Sequence, residues 1–255
     1  MGKSKQFLLS LAIPLAVLIA WHLTTTFSSV SPSILPRIRS VAIAFGELWH
    51  SGTLQKDIAV SLLRVLRGYG FSIVIGIVLG TLMGMSRTIW GLFHFTTTAI
   101  RQIPNIAWIP LIILWCGIKE LSKTVIIVLA AFFPIMTNTL NGISSTPKGY
   151  IELSKLYKLN KWQTFKKVFL PYTLPHILVG LKLGLGSSWM AVVAAELIAS
   201  SSGIGYRLSD ARSLMRSDVV ITCMIVIGFI GVIMDKLLSL LFTALTPWQK
   251  KNAGV

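Results

Sequence analysis

Charge is what this sequence has least of. Asp, Glu, Lys and Arg make up 13% of its 255 residues, well below the roughly 25% of a soluble domain, and the mean hydropathy is +0.75. A chain so poor in charge cannot solvate its whole surface, which excludes a soluble globular fold. The shortage falls on the acids, 8 against 24 Lys and Arg, and leaves a net charge of +16. That surplus does not mark a nucleic-acid-binding module, because the basic residues lie in gaps between apolar runs and form no separate soluble segment. Cysteine is scarce too. Cys116 and Cys223 each sit in an apolar run with no second Cys or His at ligand spacing, which excludes a disulfide framework and a zinc site. His22, His50, His94 and His176 are scattered and no carboxylates are paired, so the sequence offers neither a metal site nor a catalytic constellation for a membrane enzyme.

What the chain has instead is a series of apolar runs with few or no charges, each approaching the roughly 20 residues that a spanning helix needs. They fall at about 7–27, 68–86, 95–117, 124–147, 174–200 and 219–242, and predict an all-α, polytopic membrane protein with six transmembrane helices in a single domain over 1–255. The polar region 28–67, with Pro32 and Pro36, is expected to lie along the membrane interface, and 87–101 to return through the cytoplasm. Gly76, Gly80 and Gly84 form a ladder of small residues suited to close helix contact, and Gly180, Gly184 and Gly186 are expected to do the same in the fifth span. The third span is unusual at its start, where Arg101, Gln102, Pro104 and Asn105 stand at membrane depth; such groups are tolerated where they face protein or a water-filled path. Asn138, Lys182, Trp189 and Glu196 add further polar or amphipathic groups to later spans and complete the candidate pathway residues. The excess of Lys and Arg in alternate loops places both termini in the cytoplasm, with Trp248, Lys250 and Lys251 closing the chain there.

The most informative stretch is 149–175. Lys155, Lys158, Lys161, Lys166 and Lys167 face a single acid, Glu152, while apolar residues from Ile151 to Phe169 recur at three- and four-residue steps. The pattern predicts two short amphipathic helices on the cytoplasmic side. This segment resembles the cytoplasmic loop of binding-protein-dependent ABC importer permeases, whose pattern is Glu-Ala-Ala, three residues, Gly, nine residues, Ile, any residue, Leu-Pro. Glu152 takes the Glu position, Leu153 and Ser154 the two Ala positions, Lys158 the Gly position, Val168 the Ile position, and Leu170 and Pro171 the closing pair. Spacing is kept without a gap, and content departs at Leu153 and Lys158. A left-handed turn at a residue with a Cβ costs about 1–2 kcal/mol, so the turn is expected to move from Lys158 to Asn160, a residue that tolerates this conformation better.

The rest of the chain is similar to the sulfonate, taurine and nitrate branch of that family. The shared motifs are Ser61 to Gly68, the Arg101-x-Ile-Pro104 stretch, Gly180 to Lys182, Trp189 to Glu196, Gly203 to Gly205 and Gly228 to Asp235. The resemblance implies a type I ABC importer permease fold in a bacterial cell membrane, without a catalytic site or cofactor of its own. It also implies a second permease copy, two ATP-binding subunits that carry ATP and magnesium, and an extracytoplasmic solute-binding protein. Under it, the coupling loop at about 148–172 docks the ATPase through Glu152, Leu153, Ser154, Tyr157, Lys158, Leu159, Asn160, Leu170 and Pro171. The solute is expected to be a sulfonate-, taurine- or nitrate-like anion or a pyrimidine precursor. The alternative, a transporter driven by an ion gradient, calls for inverted repeats and more intramembrane carboxylates than Glu196 supplies.

Overall fold

The computed structural model describes residues 3–28 and 30–245, and Trp248, Lys250 and Lys251 lie outside the described residues. Its elements are α1 (Lys3–Phe27), α2 (Ile38–His50), α3 (Thr53–Met85), α4 (Arg87–Arg101), α5 (Asn105–Cys116), α6 (Glu120–Ser144), α7 (Lys148–Leu156), α8 (Lys161–Thr164), α9 (Leu170–Ala199), α10 (Ile204–Ser213) and α11 (Ser217–Leu245). Four helices are long and apolar enough to cross a membrane: α3, α6, the continuous run from α8 through α9, and α11. The bent pair α4 and α5 would make a fifth if it counts as one broken span, and α1 is a shorter apolar helix over Leu11–Phe27, so among the described residues four or five spans stand where six were expected.

Helix α6 is the centre of the bundle, with α3 on one side and α9 on the other. Its Ile127 and Ile135 are wholly buried. Small residues on both neighbours make this possible. A Cβ at Gly80 would stand 2.6 Å from the Met136 carbonyl oxygen, and at Gly76 and Gly84 it would stand 2.9 and 2.8 Å from Ile135 and Ile143. Gly180 and Gly184 press on α6 from the opposite side, whereas Gly186 faces open space and does not belong to that seam. In a membrane, backbone approach of this kind takes the place of a hydrophobic driving force between helices.

Two expected segments are differently built. Residues 54–67 do not lie along the interface but form the first turns of α3, whose 33 residues span about 50 Å at 1.5 Å per residue. The expected cytoplasmic return at 87–101 is itself a helix, separated from α3 by Ser86 alone, whose side chain accepts from the Ile89 N–H and caps α4. The span expected at 95–117 is broken. Between α4 and α5 the chain bends by 100° because Pro104 has no N–H to continue α4 and pushes Ile103 out of the helical region. At the far end of the molecule Arg216 donates to Asp218 at 2.9 Å and to Glu47 of α2 at 3.4 Å, and the hydrogen bond it gives to the Asp218 carboxylate raises the guanidinium pKa.

Candidate functional site

Helix α7 follows Pro147 and ends in a tight reversal. The Leu159 N–H donates to the Ser154 carbonyl and the Lys158 N–H to the Lys155 carbonyl, both at 2.9 Å, with Lys158 at φ 49°. This is the Schellman closure, which places the left-handed residue one step past the C-cap whatever its side chain. The turn therefore stays at the family's glycine position, occupied here by lysine, and the expected shift to Asn160 does not occur. Asn160 has extended backbone, φ −72° and ψ 168°, and starts α8. Its Oδ1 accepts from the Gln163 N–H at 2.8 Å, while its own N–H donates to Gln163 Oε1 at 3.0 Å. That reciprocal cap is worth about 1 kcal/mol and requires the extended conformation, so Asn160 cannot serve as the left-handed residue as well.

The reversal leaves a prominent surface. Glu152, Leu153, Tyr157, Lys158, Asn160 and Pro171 are exposed, Leu159 and Leu170 are half-buried, and Ser154 is buried with its hydroxyl donating to the Ile151 carbonyl at 2.7 Å. Leu156 and Tyr157 are 77% and 74% exposed. Behind them a π turn at Phe165–Phe169 precedes Pro171, with the Leu170 N–H reaching the Phe165 carbonyl. A widened turn there accommodates a proline that cannot bond the carbonyl four residues back, and the helix runs on into α9.

At the opposite end of the bundle the charges converge. Arg64 of α3 donates Nη1 to Glu196 of α9 at 2.7 Å and to the Ser202 carbonyl at 2.7 Å. Its Nε and Nη2 form a fork on Glu120 at the start of α6, at 2.8 and 2.6 Å. Glu196, 1% exposed, also accepts from the Ser61 hydroxyl at 2.8 Å and from the Gly205 N–H at 3.0 Å. Asp57 accepts from the Gly203 N–H at 3.1 Å and from Arg207 Nε at 2.9 Å. Gly203 has φ +104°, and a Cβ there would stand 2.4 Å from the Glu196 carboxyl carbon. Four helices, α3, α6, α9 and α10, are thus pinned together by one ionic cluster.

Sequence reasoning named Ser61, Arg64, Glu196, Gly203 and Gly205 in separate motifs but did not join them, and Glu120 was in none of them. The usable signal was the presence of Asp57, Arg64 and Glu196 inside or beside apolar runs, where opposite charges must find one another. Glu196 was also counted among the pathway residues, yet its carboxylate is enclosed by protein partners.

The other pathway candidates are dispersed. Arg101 is exposed at the end of α4, with Nη1 3.4 Å from the Thr137 hydroxyl. It borders a cavity of about 250 Å³ between α4 and α6. Gln102 and Pro104 are exposed in the break, and Asn105 borders a second cavity, about 270 Å³, against Ser187 and Met190 of α9. Asn138 donates to the Pro134 carbonyl at 2.8 Å. Lys182 lies 3.2 Å from Asp235 and 3.0 Å from Ser239. Buried Trp189 donates Nε1 to the Ile227 carbonyl at 3.0 Å and lines a third, mostly apolar cavity between α9 and α11.

A bundle of this construction, with an exposed helical reversal between α6 and α9, is that of an ABC importer permease. Residues 72–251 match the family described as binding-protein-dependent transport system inner membrane component, and the chain belongs to that family. It is 36% identical over 252 residues to a putative ABC transporter permease protein of Methanocaldococcus jannaschii, covering 97% of this chain and 94% of that one. It is 33% identical over 244 residues to a putative aliphatic sulfonates transport permease protein of Bacillus subtilis, covering 96% and 88%. To the taurine transport system permease protein of Escherichia coli it is 34% identical over 251 residues, covering 96% and 91%. Among solved structures, a chain of the MetNI methionine ABC transporter in an inward-facing conformation aligns with a TM-score of 0.53 at 20% identity, over 70% of this chain and 92% of that one. That likeness bears on the fold.

Proposed function

We propose that this chain forms one transmembrane domain of an importer powered by ATP hydrolysis on a separate subunit, taking up a small organic or inorganic anion delivered by an extracytoplasmic binding protein. The observation that carries the reading is the α7–α8 reversal: it keeps the family spacing from Glu152 to Pro171 and holds Glu152, Leu153, Leu156 and Tyr157 exposed. Two ATP-binding subunits, each holding ATP and magnesium, dock on two copies of this surface, which belongs to the cytoplasmic side together with both termini. Closure of the nucleotide subunits draws the paired loops together and opens the spans outward. Arg101, Gln102, Pro104, Asn105, Asn138, Lys182 and Trp189 contribute to the pathway. The relatives named for sulfonate and taurine transport favour an anion, and the basic groups Arg101 and Lys182 suit one.

The test is Glu152→Lys in the complex purified with its ATP-binding subunit. Reversing the charge on the exposed face should abolish solute-stimulated ATP hydrolysis and leave the bundle folded. Wild-type stimulation in that variant, or a chain that purifies folded with no nucleotide-binding partner, would refute the reading and return ion-driven transport to first place.

A further inference from the structure

The cavity between α4 and α6 has a chemistry unlike the other two. Arg101 stands at its edge with one long contact, to the Thr137 hydroxyl at 3.4 Å, and no carboxylate pairs with it among the described residues. The Thr98 hydroxyl and the Asn141 amide face the same space and have no hydrogen-bond partner among the described residues, and His94 lines it while stacking on Trp90 at 4.2 Å. No acid lines the cavity. Arg101 and Asn141 are exposed and Thr98 is half-buried at the mouth of this cleft, so a guanidinium, a hydroxyl and an amide there have donors free to answer a polar ligand. The contrast is with Lys182, which already has Asp235 at 3.2 Å, and with the cavity between α9 and α11, whose lining is mostly apolar and whose cation Lys236 has Asp235 beside it in sequence.

From this geometry we infer that the α4–α6 cavity is a binding site for a small oxyanion, a sulfonate or phosphate group. The Arg101 fork grips two of its oxygens, and the Thr98, Thr137 and Asn141 side chains donate to the rest. A planar guanidinium with parallel N–H groups matches such an anion better than an ammonium does. At about 250 Å³ the space is below the roughly 300–1,000 Å³ of pockets for drug-sized ligands, which suits a compact anionic head. Met83, near the end of α3, and Leu140, in the last two turns of α6, border it, so the site lies near the end of the bundle that carries α7. An anion held there stands near the end at which the α7–α8 reversal emerges. The inference deepens the reading of Arg101 as a pathway residue and rests on that reading only for the choice of anion.

The same chemistry is offered by a solute sulfonate and by a lipid phosphate, and the experiment separates them. The full-length chain, with the subunits that co-purify, is placed in nanodiscs of neutral phosphatidylcholine, and binding of radiolabelled ethanesulfonate is measured without nucleotide. Arg101→Gln should weaken binding at least about tenfold and Thr98→Val by about threefold, as loss of a charged and a neutral hydrogen bond implies, while Lys56→Gln, at an exposed cation near the other end of α3, leaves it unchanged. In nanodiscs of phosphatidylglycerol, lipid that native mass spectrometry finds retained on the wild type and lost from Arg101→Gln would identify the oxyanion as a headgroup. Arg101→Lys guards against misfolding: it keeps the cation, and partial binding in it supports the site. Ethanesulfonate binding equal in wild type and Arg101→Gln, or neither anion bound by a folded wild type, overturns the proposal. Because no ATP or transport enters the measurement, that failure would leave the α7–α8 docking reading intact, and loss of ATPase coupling would leave the oxyanion site intact.

Discussion

Helix α9 connects two ends of the molecule that treat charge in opposite ways. At the α10 end Glu196 is sealed among Arg64, Ser61 and the Gly205 N–H, and the backbone of the following loop is held by Asp57 and Ser61. At the α7 end five lysines between 155 and 167 face one acid, and the apolar side chains of Leu156, Tyr157 and Trp162 stand exposed. The first end has its partners within the chain and holds four helices in one arrangement. The second leaves its most prominent side chains largely exposed, Trp162 touching only Phe165 among ring contacts of the described residues, and under the proposed function it meets its complement on another subunit. If the exposed end docks an ATP-binding subunit as proposed, such a division is what transmission requires, because a force applied there moves the spans only if the far end resists being pulled apart.

The largest effect should come from breaking the closed end. Arg64→Met leaves Glu196 enclosed with its main cationic partner gone, and stranding one partner of a buried pair costs about 3–5 kcal/mol. Thermal unfolding of the purified chain should show a large fall in Tm. Arg64→Met combined with Glu196→Met should recover much of it, since two apolar side chains leave no stranded charge. If the double variant were less stable than either single one, the cluster would owe its effect to packing and not to charge pairing.

Gly203→Ala should be the next most severe change. The substitution adds a Cβ 2.4 Å from the Glu196 carboxyl carbon at a backbone position with φ +104°, where a side chain is strained by about 1–3 kcal/mol before any clash is counted. Hydrogen exchange of the α10 amides should rise while that of α6 and α7 stays unchanged. Exchange rising equally throughout would mean that the cluster is not a local pin on α10.

How far each end was legible in sequence follows from the range of its interactions. The α7–α8 reversal is built from neighbours: the capping pair Asn160 and Gln163 and the closure from Ser154 to Leu159 lie within a few residues, so the pattern of 149–175 announced two helices and a turn. Only the identity of the left-handed residue was misjudged, because intrinsic tolerance of φ > 0 was weighed and the need of α8 for a cap was not. The ionic cluster joins residues 132 apart in Arg64 and Glu196, and no local period records such a pairing. The bend between α4 and α5 stood between these cases, since Pro104 was visible but was placed inside a single span at 95–117.

The smallest predicted effect bears on the one place where the exposed end carries strain. Lys158 holds φ 49° and its side chain is exposed, so it gains little in return within this chain. Lys158→Gly removes a left-handed penalty of about 1–2 kcal/mol and adds back about 0.4–1 kcal/mol of unfolded-chain entropy, for a net gain between about zero and about 1.6 kcal/mol. Amide exchange at Tyr157, Lys158 and Leu159 should slow by a few fold, with Tm almost unmoved because the turn is far from the α10-end cluster. The informative readout is ATP hydrolysis in the same variant. If coupling falls while the turn becomes firmer, the lysine is kept at a strained position for the charge it presents to its partner. If coupling is unchanged, the strain is incidental, and the docking face depends on Glu152 and the apolar residues beside it.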